Sequence, residues 1–453
     1  MRVMFTVFPA PAHFLPVVSY AWALQSAGHE VCVATAPGPS TGIAIPSFHK
    51  AVTAAGLTAV SCGDPQPLAV HDGCYPELIP TLEESGRFAE ALALTPADLN
   101  PWDCFYHFVL ATIRDYHPPE PRQDIAAIVE FARRWKPDLV IWDPWFPCGA
   151  VAARASGAAH ARALNSPDYP GWFAAKAAER GGQLPAAVAN LLADTMRPLA
   201  ERYGVPVDNE LLLGQWTLDP FPASMRICSA PSVVSTRYVP YTGAGLFPDW
   251  LQSQPAKPRV ALSLGVSARE FHKADWGRTA KLINAVGGLD IEVIATLNSN
   301  QLLDVPDGVP GNVRTFDYVP LSHLLPTCSA IIHHGAPGTF SAAAAASVPQ
   351  LICDTDERPR SIGAVKDGKV EFQMLCEKSI TGQPILEYVT NHSAGVRINH
   401  QTQSAEEIRS ELQRVLEEPA FQAGAQKIYD EWSATPSPAD IVPTLVEMTA
   451  QRR

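Results

Sequence analysis

AIIHHGAPGT, residues 330–339, is a short apolar run that passes into a turn of small residues. We interpret the apolar part as a buried strand and the part from Pro337 onward as the first turn of a helix, where proline costs no hydrogen bond. Glycines let a phosphate approach the backbone, and a helix N-terminus offers free N–H groups and the positive end of a dipole. The stretch therefore predicts a phosphate-binding turn, with an ordinary β–α turn as the alternative.

The strand–turn–helix pattern continues on both sides of this stretch. Three further apolar runs predict strands at 259–264, 290–296 and 349–353. A second turn of small residues follows the first of these strands and comprises Ser263, Gly265, Val266 and Ser267. Turns at the carboxyl ends of parallel strands face one crevice, so these hydroxyls can also bind phosphate, although a helix-capping serine is the alternative.

The first half of the chain shows the same α/β rhythm, with predicted strands at 1–8, 30–34 and 138–142. His13 follows the first of these strands and Asp143 follows the third. Both side chains are then expected at one edge of one sheet, where a carboxylate can orient an imidazole as a general base. The alternative is that Asp143 caps the next helix.

Length and composition limit the classes of protein. At 453 residues the chain predicts two or three domains, and its net charge of -12 argues against binding nucleic acid or anionic lipid. Nine cysteines without a Cys-x-x-Cys pair favour a reducing cytoplasm over a disulfide framework or a zinc site. No apolar run is long enough to span a bilayer, so we expect a cytoplasmic protein.

We predict two Rossmann-like domains. Residues 1–215 form the first domain, 216–240 a linker and 241–430 the second domain, and a helix within 431–453 packs back on the first. The long segment 358–393 resembles a surface hairpin or lid around Lys366–Lys369.

The acidic run Asp354–Glu357 follows the predicted strand at 349–353. Its D-x-D pattern can hold a divalent cation, and a solvated acidic turn is a second alternative. Because the same half already has a helix-end phosphate site, we interpret Asp356 and Glu357 as hydrogen-bond acceptors for a sugar and predict no metal.

Three segments together resemble the family 1 glycosyltransferases of the GT-B fold: PAHFLP at 11–16, the stretch from DYVPL to HHGAPGT at 317–339, and SVPQLI at 347–352. The resemblance covers essentially the whole chain. It implies two Rossmann-like domains that face a central cleft, with an acceptor-binding domain first and a nucleotide-sugar domain second.

The resemblance also implies roles for individual residues. His13 is the base that deprotonates the acceptor, and Asp143 is its partner. The nucleobase is stacked on or enclosed by Tyr318, Val319 and Pro320. The pyrophosphate is bound by His333, His334, Gly335, Gly338 and Thr339. The nucleotide diphosphate sugar is a co-substrate, and no further cofactor is implied.

A narrower resemblance at 213–270 points to the actinomycete deoxysugar transferases of macrolide and anthracycline biosynthesis. It implies a thymidine diphosphate donor with a deoxy or amino-deoxy sugar, a polyketide-type aglycone and inverting transfer. It further implies a cytochrome-P450-like activator protein as partner, with a homodimer as another option. The family's Asp/Glu-Gln pair for oxygenated sugars is replaced here by Glu357-Arg358-Pro359, which fits a deoxygenated sugar.

Three other functions share parts of this pattern. A sugar-nucleotide epimerase has the same architecture, and a non-catalytic glycosyltransferase-like scaffold would keep the fold without the chemistry. A nicotinamide-dependent oxidoreductase would need G-x-G-x-x-G after an opening strand, which neither Pro9–His13 nor 263–267 provides.

Overall fold

The computed structural model describes residues 1–37, 47–229, 232–243, 247–265, 278–303, 305, 308–376 and 378–452. Val266 and Ser267 of the second predicted turn lie outside these residues. The chain forms two compact units. The first contains Met1–Thr236, Arg358–Cys376 and Pro436–Arg453, and the second contains Arg237–Glu357 and Glu377–Thr435. Each unit is built on its own parallel sheet, so the predicted pair of Rossmann-like domains is confirmed.

The sheet of the first unit has seven parallel strands in the order β3-β2-β1-β4-β5-β6-β7. The strands are β1 Arg2–Thr6, β2 Glu30–Thr35, β3 Thr58–Ser61, β4 Leu139–Trp142, β5 Ala159–Ala163, β6 Trp216–Asp219 and β7 Val233–Ser235. The inner strands are buried because helices cover both faces of the sheet, which explains their nearly continuous apolar sequences. The strand order reverses between β1 and β4, and such a switch point is where α/β sheets bind ligands.

The α-helices of the first unit lie between these strands in sequence, except for the last one, which lies in the tail. They span Pro11–Ser26, Phe48–Ala54, Leu82–Ala91, Leu99–Cys104, Ala111–Tyr116, Gln123–Trp135, Cys148–Ser156, Tyr169–Arg180, Ala186–Ala189, Leu191–Arg202, Asn209–Leu213 and Val442–Gln451. A π-helical turn, Phe105–Leu110, interrupts the helical run between Leu99 and Tyr116. Side chains from both sheet and helices, among them Met4, Val140 and Met196, form one apolar core.

The sheet of the second unit has six parallel strands in the order β10-β9-β8-β11-β12-β15. The strands are β8 Arg259–Ser263, β9 Glu292–Thr296, β10 Val313–Phe316, β11 Ala330–His333, β12 Gln350–Cys353 and β15 Gly395–Ile398. The accompanying α-helices span Arg278–Val286, Ser299–Leu302, Leu321–Leu324, Pro337–Ala345, Gly382–Asn391, Ala405–Glu417 and Pro419–Ala434. The strand order of this sheet reverses between β8 and β11, as it does between β1 and β4 in the first sheet.

The segment 358–376 forms the predicted hairpin but belongs to the first unit, although 241–430 was predicted as one domain. Its antiparallel strands are β13 Ser361–Lys366 and β14 Lys369–Met374. Asp367 and Gly368 both have positive φ, the conformation that a tight two-residue hairpin turn requires. The hairpin belongs to a different unit from the residues before and after it because its apolar side chains pack on the first unit. Val370 lies there in an apolar cluster with Val70 and Ile79.

The stretch 216–240 differs from the predicted linker. It contains β6, which pairs with β5, and β7, which pairs with β6. The first unit therefore continues to Thr236. These strands have four and three residues within a segment rich in proline, so their apolar pattern is too short to stand out in the sequence.

The tail returns to the first unit from Pro436 onward, while the preceding helix Pro419–Ala434 belongs to the second unit. The Thr236 hydroxyl donates to the Pro436 carbonyl over 3.1 Å, and Arg452 contacts Glu210 at 3.4 Å. Within the described residues no helix has the length and apolar character to cross a membrane.

Candidate active site

His13 lies in the first turn of helix Pro11–Ser26, just after β1. Pro11 occupies a position at the start of this helix where a backbone N–H is not needed, so the chain can turn directly from strand into helix. The imidazole is 6% exposed and packs edge-on against Trp145, with 5.1 Å between ring centroids. Phe8 lies on another side at 4.9 Å. Two aromatic rings therefore fix the position of the imidazole.

Asp143 is brought to His13 by the sheet. β1 and β4 are neighbours, with Thr6 opposite Trp142, so the residues after each strand meet at the same edge. His13 Nδ1 lies 2.7 Å from Asp143 Oδ2. The Phe8 N–H donates to the same carboxylate at 3.2 Å and the Trp145 N–H at 2.9 Å. These backbone donors fix the orientation of the carboxylate beside the imidazole.

This pairing decides which nitrogen of His13 can act as a base. A carboxylate facing Nδ1 favours the tautomer in which Nδ1 carries the proton, because that proton can then be donated to Asp143. Nε2 makes no hydrogen bond to any described part of the chain. The arrangement leaves the lone pair of Nε2 free to accept a proton from a bound molecule.

Asn165 is a member of this site that the sequence analysis missed. Its amide nitrogen lies 2.5 Å from His13 Nδ1 and donates to Asp143 Oδ1 over 3.3 Å. Asn165 follows β5, the strand beside β4, and therefore reaches the same sheet edge as Asp143. The run LNS at 164–166 directly follows β5, whose sequence AHARA gives only a weak strand signal.

The substitution Asp143→Asn is expected to lower kcat by about 10-fold or more, but by less than removal of the imidazole, because an amide still occupies the space yet no longer fixes the tautomer. Steady-state kinetics with both substrates varied provide the measurement. Asp138→Asn is the matched control, because Asp138 lies at the opposite end of β4, where it accepts from the Arg2 N–H at 2.6 Å. Equal losses in both variants would contradict an orienting role for Asp143.

The predicted phosphate turn has the required backbone in the second unit. Gly335 has φ +78°, and a Cβ built on it would lie 2.9 Å from the Gly382 Cα. Helix Pro337–Ala345 starts directly afterwards and contains Gly338 and Thr339 in its first turn. A close backbone approach followed by a helix N-terminus is the arrangement that accommodates a phosphate group.

The second turn lies beside the first, because β8 and β11 are neighbours with Ser263 opposite His333. The Thr296 hydroxyl donates to the Ser263 hydroxyl at 2.9 Å. Gly265 has φ +83°, and its missing side chain leaves room for the ring of His334, which a Cβ there would overlap at 2.2 Å. The two turns are thus packed together through Gly265 and His334.

His333 has a different environment from the expected phosphate donor. It is fully buried, Nδ1 accepts the Gly335 N–H at 3.1 Å, and Nε2 lies 3.0 Å from Gln350 Oε1. Burial lowers the pKa of His333 to about 4, so the ring is neutral. With both nitrogens bound inside the unit, His333 holds the turn in shape and His334 is the partly exposed histidine.

The expected nucleobase pocket is only partly matched by side chains. Tyr318 is 50% exposed and its hydroxyl donates to the Thr242 carbonyl. Val319 is instead buried in an apolar cluster with Leu251 and Leu324, and Pro320 is buried at the start of helix Leu321–Leu324. Tyr318 is therefore the side chain of this trio with an exposed aromatic ring.

In the acidic run, the buried carboxylate is that of Asp354, whereas Asp356 and Glu357 were the expected acceptors. Asp356 pairs with Arg397 at 2.7 Å and accepts from Asn399 at 3.2 Å, and Glu357 accepts from Gln401 at 3.0 Å. Asp354 is 5% exposed, and its Oδ1 has no hydrogen-bond partner among the described residues. The unsatisfied acceptor in this run is therefore Asp354, because the carboxylates of Asp356 and Glu357 already have partners.

The loop 378–382 forms a further wall beside the phosphate turn. The Thr381 hydroxyl donates to the Gly335 carbonyl at 2.8 Å, and Gly382 begins the helix Gly382–Asn391. Lys378 lies 3.4 Å from Asp354 Oδ2, although burial still raises the pKa of Asp354. This loop adds a cation and a second helix N-terminus to the same edge of the sheet.

In the described residues no group of three acidic, histidine or cysteine side chains is placed to hold a metal ion.

The chain resembles known proteins over its whole length. The N-terminal domain model of the erythromycin biosynthesis protein CIII-like family matches residues 22–265, and the C-terminal domain model matches 280–366 and 377–448. An aclacinomycin-T 2-deoxy-L-fucose transferase of Streptomyces galilaeus is 37% identical over 100% of this chain and 97% of its own. A 10-deoxymethynolide desosaminyltransferase of Streptomyces venezuelae is 35% identical over 100% and 98%.

Solved structures agree with this match. The crystal structure of the glycosyltransferase VinC in complex with DTDP has a TM-score of 0.77 at 31% identity over 100% of both chains. The spinosyn forosaminyltransferase SpnP has a TM-score of 0.76 at 32% identity over 99% of both. The fold and its site define a glycosyltransferase of the GT-B class. The chain belongs to the erythromycin biosynthesis protein CIII-like family.

Proposed function

We propose that this enzyme transfers a deoxy or amino-deoxy sugar from a thymidine diphosphate donor to a hydroxyl of a polyketide-type aglycone, with inversion at the anomeric carbon. The single observation that carries the proposal is the oriented imidazole of His13, held by Asp143 at 2.7 Å. The named activities of relatives on deoxysugars support the donor class, and the DTDP complex of VinC supports the nucleotide.

In the proposed reaction His13 Nε2 takes the proton of the acceptor hydroxyl as the oxygen attacks the anomeric carbon. The bond from that carbon to the diphosphate oxygen breaks in the same displacement, and thymidine diphosphate leaves. Attack opposite the leaving group inverts the configuration. Asp143 stabilises the imidazolium that forms, and Nε2 later releases the proton to solvent.

On the donor side, charge develops on the leaving diphosphate. The N–H groups at the start of helix Pro337–Ala345, Thr339 and the partly exposed His334 are the donors available to it. We assign Asp354 to the sugar, because a buried carboxylate oxygen without a partner can accept a hydrogen bond from a hydroxyl or amino group. His333 supports these donors by fixing the turn.

The proposed function is tested by incubating the purified enzyme with thymidine diphosphate deoxysugars and candidate polyketide aglycones and detecting glycoside by mass spectrometry. Each mixture is run with and without a cytochrome-P450-like helper, since the sequence resemblance predicts activation by such a partner. Glycoside formation that depends on both substrates is the expected result. Donor consumption without acceptor would instead favour the epimerase, and no turnover of any pair would favour the scaffold.

Apolar residues recur at helical spacing between 184 and 199, a pattern that a helper-binding surface would also show. The apolar stripe at 184–199 is packed inside the first unit, where Met196 and Leu199 belong to its core. Val188 is 1% exposed. The proposed need for a helper thus rests on the resemblance alone. Full activity of the monomeric enzyme without a helper would contradict that need but would not affect the proposal of glycosyl transfer.

Activity is expected to survive excess chelator, because backbone N–H groups at a helix end take the place of a divalent cation on the diphosphate. The measurement is the initial rate with and without EDTA after extensive dialysis. Loss of activity that Mg²⁺ or Mn²⁺ restores would contradict this mechanism and would make Asp354 and Asp356 candidate ligands.

A further inference from the structure

A π-helical turn at Phe105–Leu110 interrupts the helical run between Leu99 and Tyr116. A π-turn widens the helix and lengthens its hydrogen bonds, so it persists where tertiary contacts or function maintain it. His107 is in the middle of this turn.

The imidazole of His107 is 2% exposed, yet neither Nδ1 nor Nε2 has a hydrogen-bond partner among the described residues. Ser361 lies beside the ring, but outside hydrogen-bond geometry of its side-chain nitrogens. Burial lowers the pKa of His107 to about 4, and the nearby Arg360 and Arg358 act in the same direction. The ring is therefore neutral and offers one unused donor and one unused acceptor.

The hairpin β13–β14 lies over this turn. The Ser361 hydroxyl donates to the His107 carbonyl at 3.2 Å. One turn earlier in the helix, the Arg358 guanidinium grips both oxygens of the fully buried Asp103. The C-terminal family model matches up to residue 366 and again from 377, so β13 with Ser361 lies within the match and most of β14 lies outside it.

Aromatic contacts extend from both ends of the helical run 99–116 into the rest of the first unit. Phe105 stacks on Phe173 at 4.5 Å with nearly parallel rings, and the helix that carries Phe173 starts shortly after Asn165. Tyr116, at the end of the helix that follows the π-turn, packs on Phe8 at 5.3 Å, and Phe8 contacts the His13 ring. The helical run that contains His107 therefore lies in the same unit as His13 and contacts one of its aromatic neighbours.

We propose that His107 is an acceptor-specificity residue, whose neutral imidazole binds one hydroxyl or keto oxygen of the aglycone, with the hairpin as its cover. The proposal rests on the proposed function, because only glycosyl transfer brings an aglycone to His13. A polar group buried among aromatic rings distinguishes two hydrophobic molecules that differ by one oxygen, since the molecule lacking that oxygen leaves the imidazole unsatisfied. The chemical class of ligand is a hydrophobic molecule with an uncharged oxygen.

The test compares aglycones that differ in single oxygens remote from the glycosylated hydroxyl. His107→Phe should lower kcat/KM by about 10- to 100-fold for the acceptor that carries the recognised oxygen. It should have a much smaller effect for the analogue without that oxygen and leave the KM of the donor unchanged. His107→Gln, which keeps a donor and an acceptor, should restore part of the discrimination. An equal loss for all acceptors, or no loss for any, would overturn the proposal.

His117→Phe is the matched control. His117 is buried in the same unit, and burial lowers its pKa to about 4, but its Nδ1 bonds the Ile113 carbonyl at 3.2 Å. It should lower stability without changing the ratio of kcat/KM values between acceptors. A changed ratio in this control would show that any buried histidine has this effect, and would count against His107.

Should the His107 variants fail to fold, hydrogen exchange on the unaltered enzyme replaces them. Aglycone alone should slow exchange in peptides 99–116 and 361–374 but not in 278–286, and unchanged exchange in the first two would overturn the proposal. The two proposals fail separately. An enzyme that transfers no sugar refutes glycosyl transfer, whereas an active enzyme with unchanged acceptor ratios in His107→Phe refutes only this inference.

Discussion

His13→Ala is expected to lower kcat by about 10²-fold or more while the affinity for the donor stays close to that of the unaltered enzyme. The loss follows from the position of the imidazole. Its Nδ1 is engaged by Asp143 at 2.7 Å, so Nε2 is the nitrogen that can take the acceptor proton, and alanine removes it. Donor affinity is independent of this group because the phosphate turn belongs to the second unit.

The measurement is initial-rate kinetics with both substrates varied, together with donor binding by calorimetry. His49→Ala is the control, since His49 is an exposed histidine of the same unit on helix Phe48–Ala54. It should leave both values unchanged. Turnover by His13→Ala at the rate of the unaltered enzyme would eliminate His13 as the base.

Gly335→Ala is expected to raise the KM for the donor at least about 10-fold and to cost about 1–3 kcal/mol of stability, because the position tolerates neither the strain nor the volume of a side chain. The residue has φ +78°, and an added Cβ would lie 2.9 Å from the Gly382 Cα. Backbone has to move at that distance, and the turn and the start of helix Gly382–Asn391 would separate.

Gly288→Ala distinguishes the effect of backbone strain from the effect of the added side-chain volume. Gly288 has φ +73° in the same unit, but a Cβ there meets nothing within 4 Å. It should cost about 1 kcal/mol in thermal or urea unfolding, as expected for backbone strain alone, and leave the donor KM unchanged. A donor KM that stays normal in Gly335→Ala would show that the turn does not bind the donor.

Neighbouring parallel strands explain why the His13–Asp143 pair could be predicted from sequence. Both His13 and Asp143 follow strongly apolar strands, and β1 and β4 pair in register, so strand assignment alone places the two side chains at one edge. Asn165 depends on the same rule. It was missed because β5, AHARA, contains two polar residues and does not have a strongly apolar pattern.

Other features of the structure depend on contacts that the sequence does not reveal. The motif identified a histidine at 333, but only the structure shows that Gln350 and the Gly335 N–H engage both of its ring nitrogens. The hairpin was recognisable from Asp367-Gly368, yet its attachment depends on Arg358 reaching Asp103, 255 positions earlier. No local pattern encodes such a partner.

The hairpin and the tail also affect how the chain can fold during synthesis. The first unit contains Met1–Thr236, but its cover comes from Arg358–Cys376 and its final helix from Pro436–Arg453. A ribosome therefore exposes the β1–β7 sheet long before the segments that bury its outlying apolar surface have been made. Contacts between residues so far apart in sequence form slowly, and until they form the incomplete unit exposes hydrophobic surface that is prone to aggregation. We expect the first unit to mature only after synthesis ends, and to rely on chaperones until then.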